Sequence, residues 1–210
     1  LVAEKLKYLF RRIWREPAEL PPQTPFQDAG GGDYVETMEV SQAKLVMGFL
    51  TPVTNQSPDF ATMQVLNSLF GAGMTSKLFV NVREKLSLCY SIGSGYYSTK
   101  GIMTVSAGID ADKQELVTEQ ILKQLDACCQ GDITPDELTA AKEAILSGLR
   151  GVYDSPGSIE GYETTAAIGG LPLTVEQYYQ AVEAVTVEQV ARVAQTLKKH
   201  TTFFLKGVES

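Results

Sequence analysis

Residues 71–110, GAGMTSKLFVNVREKLSLCYSIGSGYYSTKGIMTVSAGID, restrict the fold of this chain more than any other stretch. Gly71 and Gly73 end a helix, because glycine in a helix interior costs about 1 kcal/mol relative to alanine. A second helix starts near Thr75-Ser76. Its apolar face is Leu78, Phe79, Val82 and Leu86, with Arg83 at the edge of that face. Two strands follow, 89–97 and 101–110, joined by a short polar turn. In the second, Met103, Val105, Ala107 and Ile109 alternate with Ile102, Thr104, Ser106 and Gly108. One face is therefore more apolar, as expected of a sheet covered by helices on one side.

The remaining segments extend this pattern. Residues 1–15 read as an amphipathic helix, with Leu6, Leu9, Phe10, Ile13 and Trp14 at helical spacing. Prolines at 17, 21, 22 and 25 and the run Gly30-Gly31-Gly32 mark a linker. Residues 1–33 are thus expected to be a connecting helix and linker, and 34–210 one domain. Strands are predicted at 34–40, 43–50 and 201–206. Ser57-Pro58-Asp59 reads as the start of a helix running to Gly71, with Ser57 as its cap. A helix over 112–129 aligns Val117, Ile121 and Leu125. Thr134-Pro135-Asp136-Glu137 opens a helix over 136–150 that buries Leu138, Ala141, Ile145 and Leu149, and Asp154-Ser155-Pro156-Gly157 breaks it. Thr174-Val175-Glu176-Gln177 and Thr186-Val187-Glu188-Gln189 are capping boxes that open two more helices. Strands and helices come in runs. The expected fold class is α+β: a mixed, largely antiparallel sheet with helices packed on one face.

The net charge of −7 disfavours nucleic acid and anionic lipid as partners. No apolar run approaches the roughly 20 residues of a membrane span. The N-terminus mixes charge into its apolar residues and so lacks a signal peptide's apolar region. Three cysteines, Cys89, Cys128 and Cys129, form no disulfide framework and imply free thiols in a reducing, cytoplasmic setting. The sequon at Asn55-Gln56-Ser57 carries little weight without a secretory signal. A start at Leu1 suggests a piece of something longer.

Catalytic zinc needs three protein ligands and an open position. One histidine, His200, cannot supply the paired histidines of a peptidase zinc helix. It cannot complete a Ser-His-Asp or Cys-His set either, since no acidic orienter lies beside it. The loop GAGMTSK lacks the Gly-Lys-Ser/Thr order of a phosphate loop and reads as a helix-to-helix turn. Tyr96-Tyr97 and Tyr178-Tyr179 read as packing. Arg83 and Tyr90 stand seven apart across a helix-to-strand junction. One reading pairs Arg83 with Glu84 and half-buries Tyr90. In the other, a forked cationic donor and a phenol hold a peptide carbonyl or stabilise an oxyanion.

Phe79, Arg83-Glu84, Leu88 and Tyr90, with Ser94 and Gly101 in register behind them, resemble the C-terminal domain of the M16 (pitrilysin/insulinase) metallopeptidase family. The likeness spans about residues 34–207. Lys77 through Lys85, Ser87-Leu88-Cys89-Tyr90, Lys100-Gly101 and Thr202 through Gly207 are similar to a bacterial zinc-less branch. That branch occurs beside a zinc-bearing relative and is linked by name to elongation factor P modification. The resemblance implies the M16/LuxS-like metallohydrolase fold, in which two such domains form a half and two halves close around a chamber. It implies that this chain lacks zinc and is inactive alone. It also implies a zinc-bearing M16 half as partner, an extended peptide as substrate, and Arg83 and Tyr90 as substrate-binding residues facing the partner's zinc. A purely structural subunit on the same fold is the alternative.

Overall fold

The computed structural model describes residues 2–12 and 30–208. Five strands form one sheet in the order β1-β5-β2-β4-β3. They are β1 (Gly32–Met38), β2 (Ala43–Leu50), β3 (Ser91–Tyr97), β4 (Ile102–Ile109) and β5 (Lys198–Gly207). The β1–β5 pair is parallel and the other three are antiparallel, so the sheet is mixed and largely antiparallel, as expected. The first strand opens two residues before position 34.

The helices are α1 (Val2–Arg11), α2 (Phe60–Phe70), a π-helix (Leu78–Lys85), α3 (Gln114–Gln130), α4 (Pro135–Arg150), α5 (Pro156–Gly169), α6 (Val175–Glu183) and α7 (Val187–Ala194). Leu6, Leu9 and Phe10 of α1 are exposed. Ile13, Trp14 and the prolines at 17–25 lie outside the described residues.

Alternation along the strands sets the layers. Leu45, Met47 and Phe49 of β2 point the same way as Met103, Val105 and Ile109 of β4, and all six are fully buried. They join Leu66, Phe70, Val117, Ile121 and Val190 from the helices in one core. Each such side chain contributes about 1.5–3 kcal/mol on burial. The opposite face carries Lys44, Thr104 and Ser106, which remain exposed or half-buried. Helices thus cover one face. Ala141 and Leu149 of α4 are buried as expected, and Leu146 joins them, whereas Leu138 and Ile145 only pack on the core's margin.

All three capping boxes form: Thr134 with Glu137, Thr174 with Gln177, and Thr186 with Gln189. Ser57 is a correction. Helix α2 begins at Phe60, and the Ser57 hydroxyl instead accepts the Thr54 N–H at 2.8 Å, closing the preceding turn. Asn55 of the sequon is buried, with its amide donating to the Gly169 carbonyl. Gly101 turns β3 into β4 at φ +62, where a Cβ would meet the Thr51 carbonyl oxygen at 2.3 Å.

Candidate functional site

The loop GAGMTSK positions everything that follows it. The Gly71 carbonyl accepts the Ser94 N–H at 3.0 Å, which ties the end of α2 to β3. A Cβ on Gly71 would lie 2.6 Å from Ser94 Oγ, so only glycine allows this approach. The Ser76 hydroxyl donates to the Gly73 carbonyl at 2.7 Å and starts the next helix. Lys77 is buried, and its Nζ reaches both Glu137 oxygens, at 2.8 and 3.1 Å. This lysine is therefore structural and anchors the π-helix to the first turn of α4. Burial pushes the Glu137 carboxyl up, but the hydrogen bond from Lys77 and that from the Thr134 N–H outweigh it and hold it below its ordinary value.

The segment carrying Arg83 is wound as a π-helix, a rare form that is frequent at functional sites. Leu78 and Val82 are fully buried. Leu86, expected on the same face, lies past the last helical residue and is exposed. Ser87 then takes a left-handed conformation (φ 51) and redirects the chain. Cys89 and Tyr90 precede β3, two residues later than the expected start, yet the Tyr90 N–H still donates to the Gly108 carbonyl at 2.8 Å.

Arg83 and Tyr90 meet. The Arg83 Nε donates to the Tyr90 backbone carbonyl at 3.0 Å, and Nη1 contacts Glu84 Oε1 at 2.7 Å. The guanidinium lies 4.7 Å from the Phe79 ring centroid, in cation–π range. Tyr90 is 60% exposed, not half-buried. Its hydroxyl donates to Asp110 Oδ1 at 2.7 Å, and Lys113 Nζ donates to Asp110 Oδ2 at 2.6 Å. The hydrogen bonds from Lys113 and then Tyr90 lower the Asp110 carboxyl, while the bond to Asp110 raises the Tyr90 phenol. These groups line an open cleft of about 440 Å³.

Asp110 and Lys113 escape notice in the sequence, although strand register points to the first of them. Ser91 pairs with Gly108. Extending that register places Cys89 opposite Asp110, diagonal to Tyr90.

Burial raises the Cys89 thiol, the cleft's only soft nucleophile, away from the reactive thiolate. Both of the cleft's carboxylates are engaged, Asp110 by Lys113 and Glu84 by Arg83. Among the described residues no group of three His, Cys, Asp or Glu could hold a metal ion. His200, on β5, bonds through Nδ1 to the Thr201 hydroxyl at 2.7 Å. The donor set therefore does not fit a catalytic zinc. Among the described residues no helix is long and apolar enough to cross a membrane.

The profile of the family described as "Peptidase M16 inactive domain" matches residues 2–145. A Bacillus subtilis protein named "Probable inactive metalloprotease YmfF" is 31% identical over 177 residues, covering 84% of this chain and 42% of that protein. An "Uncharacterized zinc protease" of Rickettsia felis is 33% identical over 128 residues, or 60% of this chain and 30% of its own length. The chain thus spans less than half the length of these relatives. A conserved protein from Enterococcus faecalis V583 superposes with a TM-score of 0.85 at 27% identity, over 99% of this chain and 50% of that one. The peptidase M16 inactive domain from Pseudomonas fluorescens superposes at 0.72 and 22% identity, over 86% of this chain and 45% of that one.

Proposed function

Since this chain belongs to the M16 peptidase family, on its inactive-domain side, we propose that it is the zinc-less part of a peptide-binding assembly. In this reading it helps to wall a chamber with a zinc-bearing M16 half. Arg83 and Tyr90 contact an extended peptide held near the partner's zinc. Zinc and the hydrolytic chemistry belong to the partner, and this chain alone cuts nothing.

The observation that carries the reading is the junction itself. Arg83 and Tyr90 are linked through one hydrogen bond and open onto one polar cleft. That cleft offers hydrogen-bond donors, keeps its one soft nucleophile, Cys89, toward the thiol, and has no metal set among the described residues, which suits holding a substrate. Free thiols and a net charge of −7 support a cytoplasmic, peptide-directed role and not one on nucleic acid. A structural subunit with no part in hydrolysis is the second reading. The Arg83–Glu84 ion pair favours it, since a guanidinium already paired has less need of a ligand.

The test is cross-linking. An unstructured peptide carrying a diazirine side chain is photolysed with this chain and a zinc-bearing M16 relative, and adducts are mapped by mass spectrometry. Adducts within residues 83–90 are expected. Adducts confined to the relative would favour the structural reading.

A further inference from the structure

Helix α5 stands apart from the rest of the helical layer. Each of α2, α3, α4, α6 and α7 places buried apolar side chains in the core. From α5 only Tyr162 packs against that core, at its margin. Ala166 is buried but stands outside it, and Ile168 is 69% exposed. The helix is also poorly built to stand alone. Gly157 and Gly161 lie in its body and Thr164-Thr165 follow, all weak helix formers. Its 14 residues are marginal for an isolated helix even in a favourable sequence. Both ends are sharply cut. A 3-10 turn (Gly151–Asp154) precedes it, the Ser155 hydroxyl accepts the Ser158 N–H at 3.1 Å, and Gly170 closes it in the left-handed region at φ +71.

What holds α5 down is mostly polar. The buried Asn55 amide, on the loop between β2 and α2, donates to the Gly169 carbonyl. The Tyr162 hydroxyl donates to the Leu173 carbonyl at 2.9 Å. Ahead of the helix, the Tyr153 hydroxyl donates to Glu176 Oε1 at 2.5 Å and pins the 3-10 turn to α6. The Asn55 loop has anchors of its own. The Tyr96 hydroxyl donates to the Val53 carbonyl at 2.7 Å, and the Asn55 N–H donates to the Ser98 carbonyl at 3.1 Å. We propose that α5 is a strap: it lifts as one unit between the 3-10 turn and Gly170 while the sheet and the other core-forming helices stay folded, and Asn55 is its latch. A segment with few buried apolar contacts opens at a lower free energy than the core it lies on. Because the loop that carries Asn55 is held from β3 and the turn after it, the latch stays in place when the strap leaves. Lifting uncovers the Asn55 amide, and the strap recloses on a partner already positioned. The inference does not depend on the peptide-binding reading.

Native-state hydrogen exchange on the full chain, read amide by amide by NMR, tests the strap. Amides of α5 should be less protected than those of α4 and α6 by about 100-fold or more. Up to about 1 M urea their exchange should rise by about twofold or less, because lifting one helix exposes little surface. Over the same range the amides of α4 and α6 should quicken by about tenfold or more. Val105→Ala, in the fully buried part of β4, should quicken α4 and α6 and leave α5 unmoved, since the lifted state keeps that core intact. Asn55→Ala should quicken α5 by about three- to tenfold, the worth of one hydrogen bond. Asn55→Asp, which cannot donate once ionised, should quicken it at least as much. Exchange of α5 that matches α4 and α6 in protection and in urea dependence would show one cooperative unit and overturn the strap. Separate exchange of α5 that neither Asn55 variant quickens would overturn the latch.

Discussion

Replacing Glu137 by Gln should destabilise this protein more than replacing its partner Lys77 by Met. The reason is the environment of the pair. The Lys77 side chain is 6% exposed and that of Glu137 26%, with two contacts at 2.8 and 3.1 Å. Gln at position 137 keeps the capping box, because its amide oxygen can still accept the Thr134 N–H. The substitution therefore isolates the charge. It strands a buried ammonium, and breaking a buried pair in this way costs about 3–5 kcal/mol. Partial exposure of Glu137 lets water replace some of what is lost, so about 2–3 kcal/mol is expected. Met at position 77 removes the ammonium and fills similar volume, so its cost should be about 1 kcal/mol. Urea unfolding followed by circular dichroism reads the difference: at about 2 kcal/mol per M, the Glu137→Gln midpoint should drop by roughly 1–1.5 M. The sign with pH follows from the lowered Glu137 carboxyl. Its stabilisation is complete above the ordinary value of 4.5 and is lost as pH falls through the lower folded value. Glu137→Gln should flatten that acid limb. Equal midpoints for the native chain and Glu137→Gln, or a larger loss in Lys77→Met, would refute the reasoning.

Two further outcomes follow from packing. Gly71→Ala places a Cβ 2.6 Å from Ser94 Oγ and 2.9 Å from Leu78 Cδ1. It should cost about 1–3 kcal/mol, with faster hydrogen exchange at the Ser94 amide. Burial pushes the Cys128 thiol up to about 12, so under native conditions a thiol reagent at neutral pH should label Cys129 and Cys89 well before Cys128.

Local signals carried most of the fold. The capping boxes at Thr134, Thr174 and Thr186 appear where their sequences place them, because each is closed within four residues. The alternation through Met103, Val105, Ala107 and Ile109 assigns the buried face of β4 correctly, because strand side chains repeat every two residues. Non-local features were not legible. The parallel pairing of β1 with β5 joins segments from opposite ends of the chain. The contact of Lys77 with Glu137 spans 60 positions. Ser57 shows the limit of a local signal: a serine before Pro-Asp suits a helix cap, and the Thr54 amide claims it first. Within the site, Arg83 and Tyr90 stood out through the family resemblance, since their spacing alone leaves a plain ion pair and a packing tyrosine open. Asp110 did not, because its link to Tyr90 crosses the β3–β4 pair.

The central claim is that Arg83 acts on a bound peptide in a partner's active site. The measurement closest to it is kcat/KM for hydrolysis of an unstructured peptide by this chain reconstituted with a zinc-bearing M16 relative. A charge-assisted hydrogen bond is worth about 1.5–3 kcal/mol, so Arg83→Ala should lower kcat/KM by about 10- to 150-fold. Arg83→Lys should recover only part of the loss, since a lysine keeps the charge without the fork. Activity that requires this chain yet is unchanged in Arg83→Ala would contradict the account and leave the chain a structural subunit.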